Sequence, residues 1–245
     1  MRVLRFAVLF LSMLVASAAA QEKTIFLTFD DGPLFGTSNI LDVLEAENVP
    51  AALFMVGLHV EAAEEHKALL ARAKSMPLIT VGNHSYTHAN NHYKRFYATT
   101  AEVLSDMEKA STVLGLTAPV HARLPGRDVF RLPNLTRDDL GLGKAEDTRE
   151  RPDFDEVAAK GFLLYGWDHE WSHESTGKPV QSVDQLLGEI DHAFATNNEV
   201  ERGKMILLMH DEMFQDHFDG KINLTALITG LKQRGYSFGH IADYD

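Results

Sequence analysis

The stretch TIFLTFDDGP, residues 24–33, carries an apolar, aromatic run straight into two adjacent carboxylates, Asp30 and Asp31, and then a Gly-Pro turn. Such a run has the composition of a buried strand, and Gly32-Pro33 ends it. Two neighbouring aspartates at that point repel each other and lose hydration. A cation and a proton-transfer task are the compensations that would keep both there. Adjacent strand residues point to opposite faces, but the turn lets Asp30 and Asp31 reach one site from different angles.

The same alternation continues along the chain. Strand-like runs at 51–56, 78–81, 120–123, 162–167, 205–209 and 236–238 are separated by helical patterns at 38–46, 60–74, 97–114, 152–159, 183–195 and 224–234. Strands alternating with helices build a mainly parallel sheet. About seven such units in a single domain predict an α/β fold, a distorted (β/α) barrel. Residues 127–151 mix Gly, Pro and charge and read as a long loop with a short helix. In such barrels chemistry gathers where strands end. Here FDDGP, GNHSYTH, RLPGRD, GWDHEW and LMH each follow a strand-like run, so one shared site is the economical reading.

Composition narrows the function classes. The first twenty residues, with Arg2 and Arg5 before an apolar run and small residues Ala16 to Ala20, read as a signal peptide cleaved before Gln21. The domain is then 21–245, secreted or periplasmic, and the apolar run is too short for a comfortable membrane span. Nothing else in the sequence suits a span, so an integral membrane protein is not expected. Without Arg2 and Arg5, 21 basic residues face 35 acidic ones, a formal charge of −14. That disfavours nucleic acid as a partner. The chain has no cysteine, so metal ligands must be imidazole or carboxylate.

His84 and His88 are four apart and can converge on one ion. Two histidines and one carboxylate with open positions suit zinc or another divalent first-row ion. One aspartate of the pair can then ligate while its neighbour handles protons. Arg123 can fix and tune an aspartate. His210 is the natural acid–base histidine, and Asp168 can supply the charge that orients it, with Glu170 the second candidate. Trp167 and Trp171 flank that carboxylate as core aromatics or as a wall for a sugar ring or acyl group.

The order of these motifs resembles the NodB-homology polysaccharide deacetylases, carbohydrate esterase family four. TFDDGP and HSYTH match the family's first two motifs, RLPG is similar to a shortened third, WDHEW loosely to the fourth, and LMH to the fifth. The resemblance implies a divalent ion, usually zinc, held by Asp31, His84 and His88. It implies Asp30 as general base, His210 as general acid and Arg123 as the group that positions Asp30. Leu208 and Trp171 would line the acetyl pocket, and Pro125 and Gly126 a groove wall. Gly126 follows Pro125 directly, where the family usually carries a further, often aromatic, residue. The implied activity is metal-dependent N-deacetylation of an N-acetylated glycan. O-acetyl ester hydrolysis on a xylan-like chain and non-catalytic glycan binding are the alternatives.

Overall fold

The computed structural model describes residues 22–245; the expected signal peptide lies outside them. The opening stretch forms β1 (Thr24–Asp30), followed by α1 (Thr37–Glu47), β2 (Ala51–Met55), α2 (Gly57–Glu61), α3 (Glu64–Ser75) and β3 (Ile79–Asn83). Then come α4 (Tyr93–Phe96), α5 (Thr100–Leu114), β4 (Val120–Ala122), β5 (Phe130–Arg131), β6 (Thr136–Arg137), α6 (Lys144–Ala159) and β7 (Phe162–Leu164). The chain closes with β8 (His169–Glu170), α7 (Val183–Thr196), β9 (Lys204–His210), α8 (Gly220–Gln233) and β10 (Ser237–Phe238).

These strands make one curled sheet in the order β6-β5-β7-β4-β3-β2-β1-β9-β8, with β10 also on β1. All pairings from β4 through β3, β2, β1 and β9 are parallel. The barrel is distorted at one seam. Residues 162–164 pair with β4, and residues 169–170 pair with β9. A single run of chain therefore joins the two edges, with Tyr165 N–H still on Ala122 O and Asp168 N–H already on Ile206 O.

Alternation along β1 sorts its side chains. Ile25, Leu27 and Phe29 pack outward against the helices, with Ile40, Leu44 and Leu227. Phe26 packs inward with Phe54, Ile206 and Tyr244. Thr28 and Asp30 share that inward parity, so Asp30 stands at the interior mouth of the barrel. Both faces of β1 are buried, which is why the strand reads as a continuous apolar run. Each fully buried large aliphatic or aromatic side chain contributes about 1.5–3 kcal/mol.

Helix α7 starts at a capping box, Ser182 accepting from Gln185 N–H. The region read as a long loop with a short helix, 127–151, holds the first half of α6 and, in place of the loop, the β5–β6 hairpin, antiparallel to β7. That helix runs through Pro152 because Glu150, Asp153, Phe154 and Val157 are buried along it. Tertiary packing there outweighs the breaking tendency of proline.

Candidate metal centre and cleft

Parallel register brings the motif ends together. Asp30 lies beside His210 of β9 and Phe54 of β2. His84 follows β3, and Arg123 follows β4, its N–H on Asn83 O. A cleft of about 900 Å³ opens over these ends, lined among others by Asp30, Asp31, His84, His88, Leu208 and His210.

The two aspartates divide as the opening stretch required. Asp30 Oδ1 accepts from Arg123 Nη1 at 2.8 Å. Arg123 is fully buried and spends its other donors on Thr28 Oγ1, Tyr165 O and Gly166 O. Its guanidinium lies 4.6 Å from the centre of the Phe54 ring. Asp30 Oδ2 is left facing the cleft, 3.5 Å from His84 Nε2.

Asp31 Oδ1 is 3.4 Å from His84 Nε2 and 3.2 Å from His88 Nε2. It is buried and receives no hydrogen bond among the described residues. The three ligand atoms lie within 4.8 Å of one another. The Nδ1 atoms are already committed: His84 Nδ1–H donates to Arg123 O at 2.8 Å, and His88 Nδ1–H to Asn91 Oδ1 at 3.1 Å. In the neutral rings the lone pairs are therefore on Nε2, aimed at Asp31. Burial alone would raise the Asp31 pKa, but the adjoining His84 imidazole, with His88 and His210, holds it well below the usual carboxylate range. Burial disfavours the His84 cation, yet the charges of Asp30 and Asp31 prevail and raise its pKa. Burial, then the neighbouring His84, lower that of His88. The pocket thus favours one positive charge between two carboxylates, and an unpaired oxygen with two convergent lone pairs fits a divalent ion.

Asp31 and His88 both sit on left-handed backbone, with φ 74° and φ 50°, the latter opening a run that includes Ala89, Asn90 and Asn91. Non-glycine residues adopt this region at a cost and cluster at functional sites. Asp106 of α5 holds the second loop in place by accepting from the N–H groups of Tyr86 and Thr87 at 2.8 and 3.0 Å.

His210 lines the cleft with its Nδ1 buried and unpaired among the described residues. The expected Asp168–His210 pair is not formed. Asp168 instead accepts from the N–H groups of Val200 and Ile206 and from Tyr244 OH, four residues back along β9 from His210. Burial pushes its pKa up to about 6. Glu170, the second candidate, lines the cleft opposite Leu208, with no hydrogen bond to His210. The ring beside His210 is His173, edge-on at 4.6 Å, its Nδ1 bonded to Glu174 O at 2.8 Å and 3.2 Å from Glu212 Oε1.

Leu208 lines the cleft as expected, but Trp171 does not. Its indole N–H donates to Gln181 O, and its ring packs edge-on against Phe214 beside a separate groove between α7 and α8. Trp167 supplies the aromatic wall, its backbone N–H held by Asp128 Oδ1 at 2.9 Å. The strand bends between the two tryptophans, so even spacing along it does not preserve the side. Gly126 lines the cleft, whereas Pro125 turns its carbonyl to Tyr97 OH. Arg127 is drawn away to Glu150 at 2.6 Å. The ring of Tyr93, from α4, covers Gly126 and fills this wall; a Cβ at Gly126 would meet it at 3.2 Å. No sequence signal joins Tyr93 to the RLPG loop, since they meet only in the fold.

The family model described as polysaccharide deacetylase matches residues 17–148, more than half of the chain. The Bacillus subtilis protein YheN is 28% identical over 226 residues, covering 91% of this chain and 68% of that one. A carbohydrate esterase family four esterase of Streptococcus mutans superposes with a TM-score of 0.65 at 24% identity, over 89% of this chain and 86% of the other. The catalytic domain of a peptidoglycan N-acetylglucosamine deacetylase from Eubacterium rectale gives 0.66 at 20% identity, over 93% and 95%. The chain belongs to the polysaccharide deacetylase family.

Proposed function

We propose that this protein hydrolyses acetyl groups from N-acetylated amino sugars of a polysaccharide, outside the cytoplasm and after removal of residues 1–20. The observation that carries the reading is the split of the aspartate pair. One oxygen of Asp30 is locked on Arg123 while the other faces the cleft, and Asp31 presents an unpaired buried oxygen to two imidazoles.

Asp31 Oδ1 and Nε2 of His84 and His88 would hold a divalent ion, and zinc suits that donor set. When bound, the ion supplies Lewis acidity toward the acyl oxygen and the attacking water. Asp30, oriented by Arg123, accepts the water proton on Oδ2. Gly126, whose N–H has no partner among the described residues, is the backbone donor for the developing oxyanion. Leu208 and Trp167 receive the acetyl methyl. His210 delivers a proton to the departing nitrogen, so the C–N bond breaks to give acetate and a free amine.

The test is acetate release from chitin oligomers, poly-N-acetylglucosamine, peptidoglycan fragments and acetylated xylan, with zinc, with chelator, and with Asp30→Asn. Release from an N-acetylated member, lost with chelator and in the variant, supports the reading. Release from acetylated xylan alone would assign ester hydrolysis, and silence across the panel in zinc-loaded protein would sink both.

A further inference from the structure

The candidate metal ligand Asp31 is a non-glycine residue at φ 74°, a conformation that such residues keep only where their surroundings impose it. The imposing contacts come from the junction of β2 and α2. Its own carbonyl receives Nδ1–H of His59 at 2.6 Å, and the next carbonyl, Gly32 O, receives Val56 N–H at 2.8 Å. A carbonyl can only accept, so the His59 proton is on Nδ1. The same junction grips the other ligand loop. Met55 O accepts from His84 N–H at 2.9 Å, Gly57 N–H donates to Ser85 O at 3.1 Å and Leu58 N–H to Tyr86 O at 2.9 Å. His59 is braced in turn, its carbonyl accepting from His66 Nδ1 at 2.6 Å. The short helix α2 is thus a bracket between the two loops that carry ligands, and His59 is its side-chain contact to the Asp31 turn.

We propose that His59 sets the affinity of the metal centre by holding Asp31 in its left-handed conformation, an inference that rests on reading Asp31, His84 and His88 as the ligands. His59 is a positioning residue. Without its bond the Asp31 backbone relaxes, and Oδ1 leaves the point where it meets both Nε2 atoms. Outer partners of this kind alter metal affinity by about 10–100-fold.

The experiment measures the zinc dissociation constant of the full-length protein by competition with a chromophoric chelator. The variants are His59→Ala, His59→Phe and His59→Asn, each with its metal-free unfolding midpoint. Ala and Phe are expected to weaken zinc binding by about tenfold or more. Asn, whose amide N–H occupies the position of Nδ1, is expected to restore it. Affinity unchanged in Ala and Phe, or lost equally in Asn, overturns the inference while leaving the metal reading intact. Wild type that binds no zinc overturns the metal reading itself. If Ala fails to fold, the Phe and Asn pair decides.

Discussion

Replacing Arg123 with Met tests whether Asp30 depends on its buried partner. The guanidinium is completely buried and satisfies Asp30 Oδ1 at 2.8 Å, Tyr165 O at 3.1 Å and Gly166 O at 2.8 Å. Met keeps much of the volume and none of the donors. Removing one partner of a buried ion pair costs about 3–5 kcal/mol, because the other charge stays behind. Each carbonyl left dry adds about 1–3 kcal/mol. Against a total stability of about 5–15 kcal/mol, the variant should remain folded only marginally. At about 2–4 °C per kcal/mol for a chain of this size, the ion-pair loss alone lowers the unfolding midpoint by roughly 6–20 °C. Adding Asp30→Asn removes the stranded charge, so the double variant should be more stable than the sum of the single losses allows. Urea unfolding of wild type, both single variants and the double variant, in chelator at pH 7, measures the cycle. A loss below about 1 kcal/mol for Arg123→Met, or strict additivity, would refute the argument that Arg123 and Asp30 depend on each other as a buried ion pair.

Asp30→Asn should abolish acetate release while leaving zinc affinity near wild type, since the ligand set is untouched; loss of both would mean that Asp30 is itself a ligand. Asp211 is buried against Gly36 N–H and the Thr37 hydroxyl, and its pKa is pushed up to about 7 by burial. A raised carboxylate pKa means that the folded state holds a proton the unfolded state has lost, so this group lowers stability as pH climbs from about 4 to 7. Unfolding free energies of Asp211→Asn relative to wild type should therefore improve by about 4 kcal/mol over that window, and a pH-independent difference would contradict it. Gly36→Ala drives a methyl into the backbone carbonyl of Asp211 and should cost more than about 3 kcal/mol in thermal unfolding; a near-neutral result would mean the α1 entry loop shifts freely. Zinc at 100 times its dissociation constant should stabilise the protein by about 2.7 kcal/mol, and His84→Ala should erase that increment in calorimetry.

The parts legible in sequence were those governed by local physics. β1, β2 and β9 announce themselves as apolar runs because both their faces are buried, and the polar clusters at the ends of β1, β3 and β9 line the cleft. The approach of Asp31, His84 and His88 followed from strand-end logic. What failed depended on geometry that a linear pattern does not carry. Asp168 was read as facing His210, but the chain twists as it passes from β4 to β9, turning that carboxylate toward Val200 and Tyr244. The same bend exchanges Trp171 for Trp167 in the cleft. The second half of α6 was visible and the first half only as a short helix without bounds, because Lys144–Arg151 lacks an apolar stripe and is held by ion pairs such as Arg127–Glu150 and Arg151–Asp147. His59 and Tyr93 act through one backbone carbonyl and one glycine face, contacts that leave no spacing to read.

The run of chain from Tyr165 to Asp168, which changes partners from β4 to β9, gives the barrel a circumference counted in residues. Elsewhere the wall is fixed by ladders of hydrogen bonds, and moving one strand means breaking them. At this seam the wall is closed by covalent bonds. One residue added there lengthens the perimeter by up to about 3.3 Å with each ladder left intact. Asp31, His84 and His88 follow β1 and β3, away from the seam, but Arg123 bonds Tyr165 O and Gly166 O within it and Trp167 faces the cleft from it, so a change of bore there reaches Asp30 through Arg123. An insertion at this one place would therefore widen the groove and shift the hold on Asp30 together, while the ladders that carry the loops after β1 and β3 stay paired.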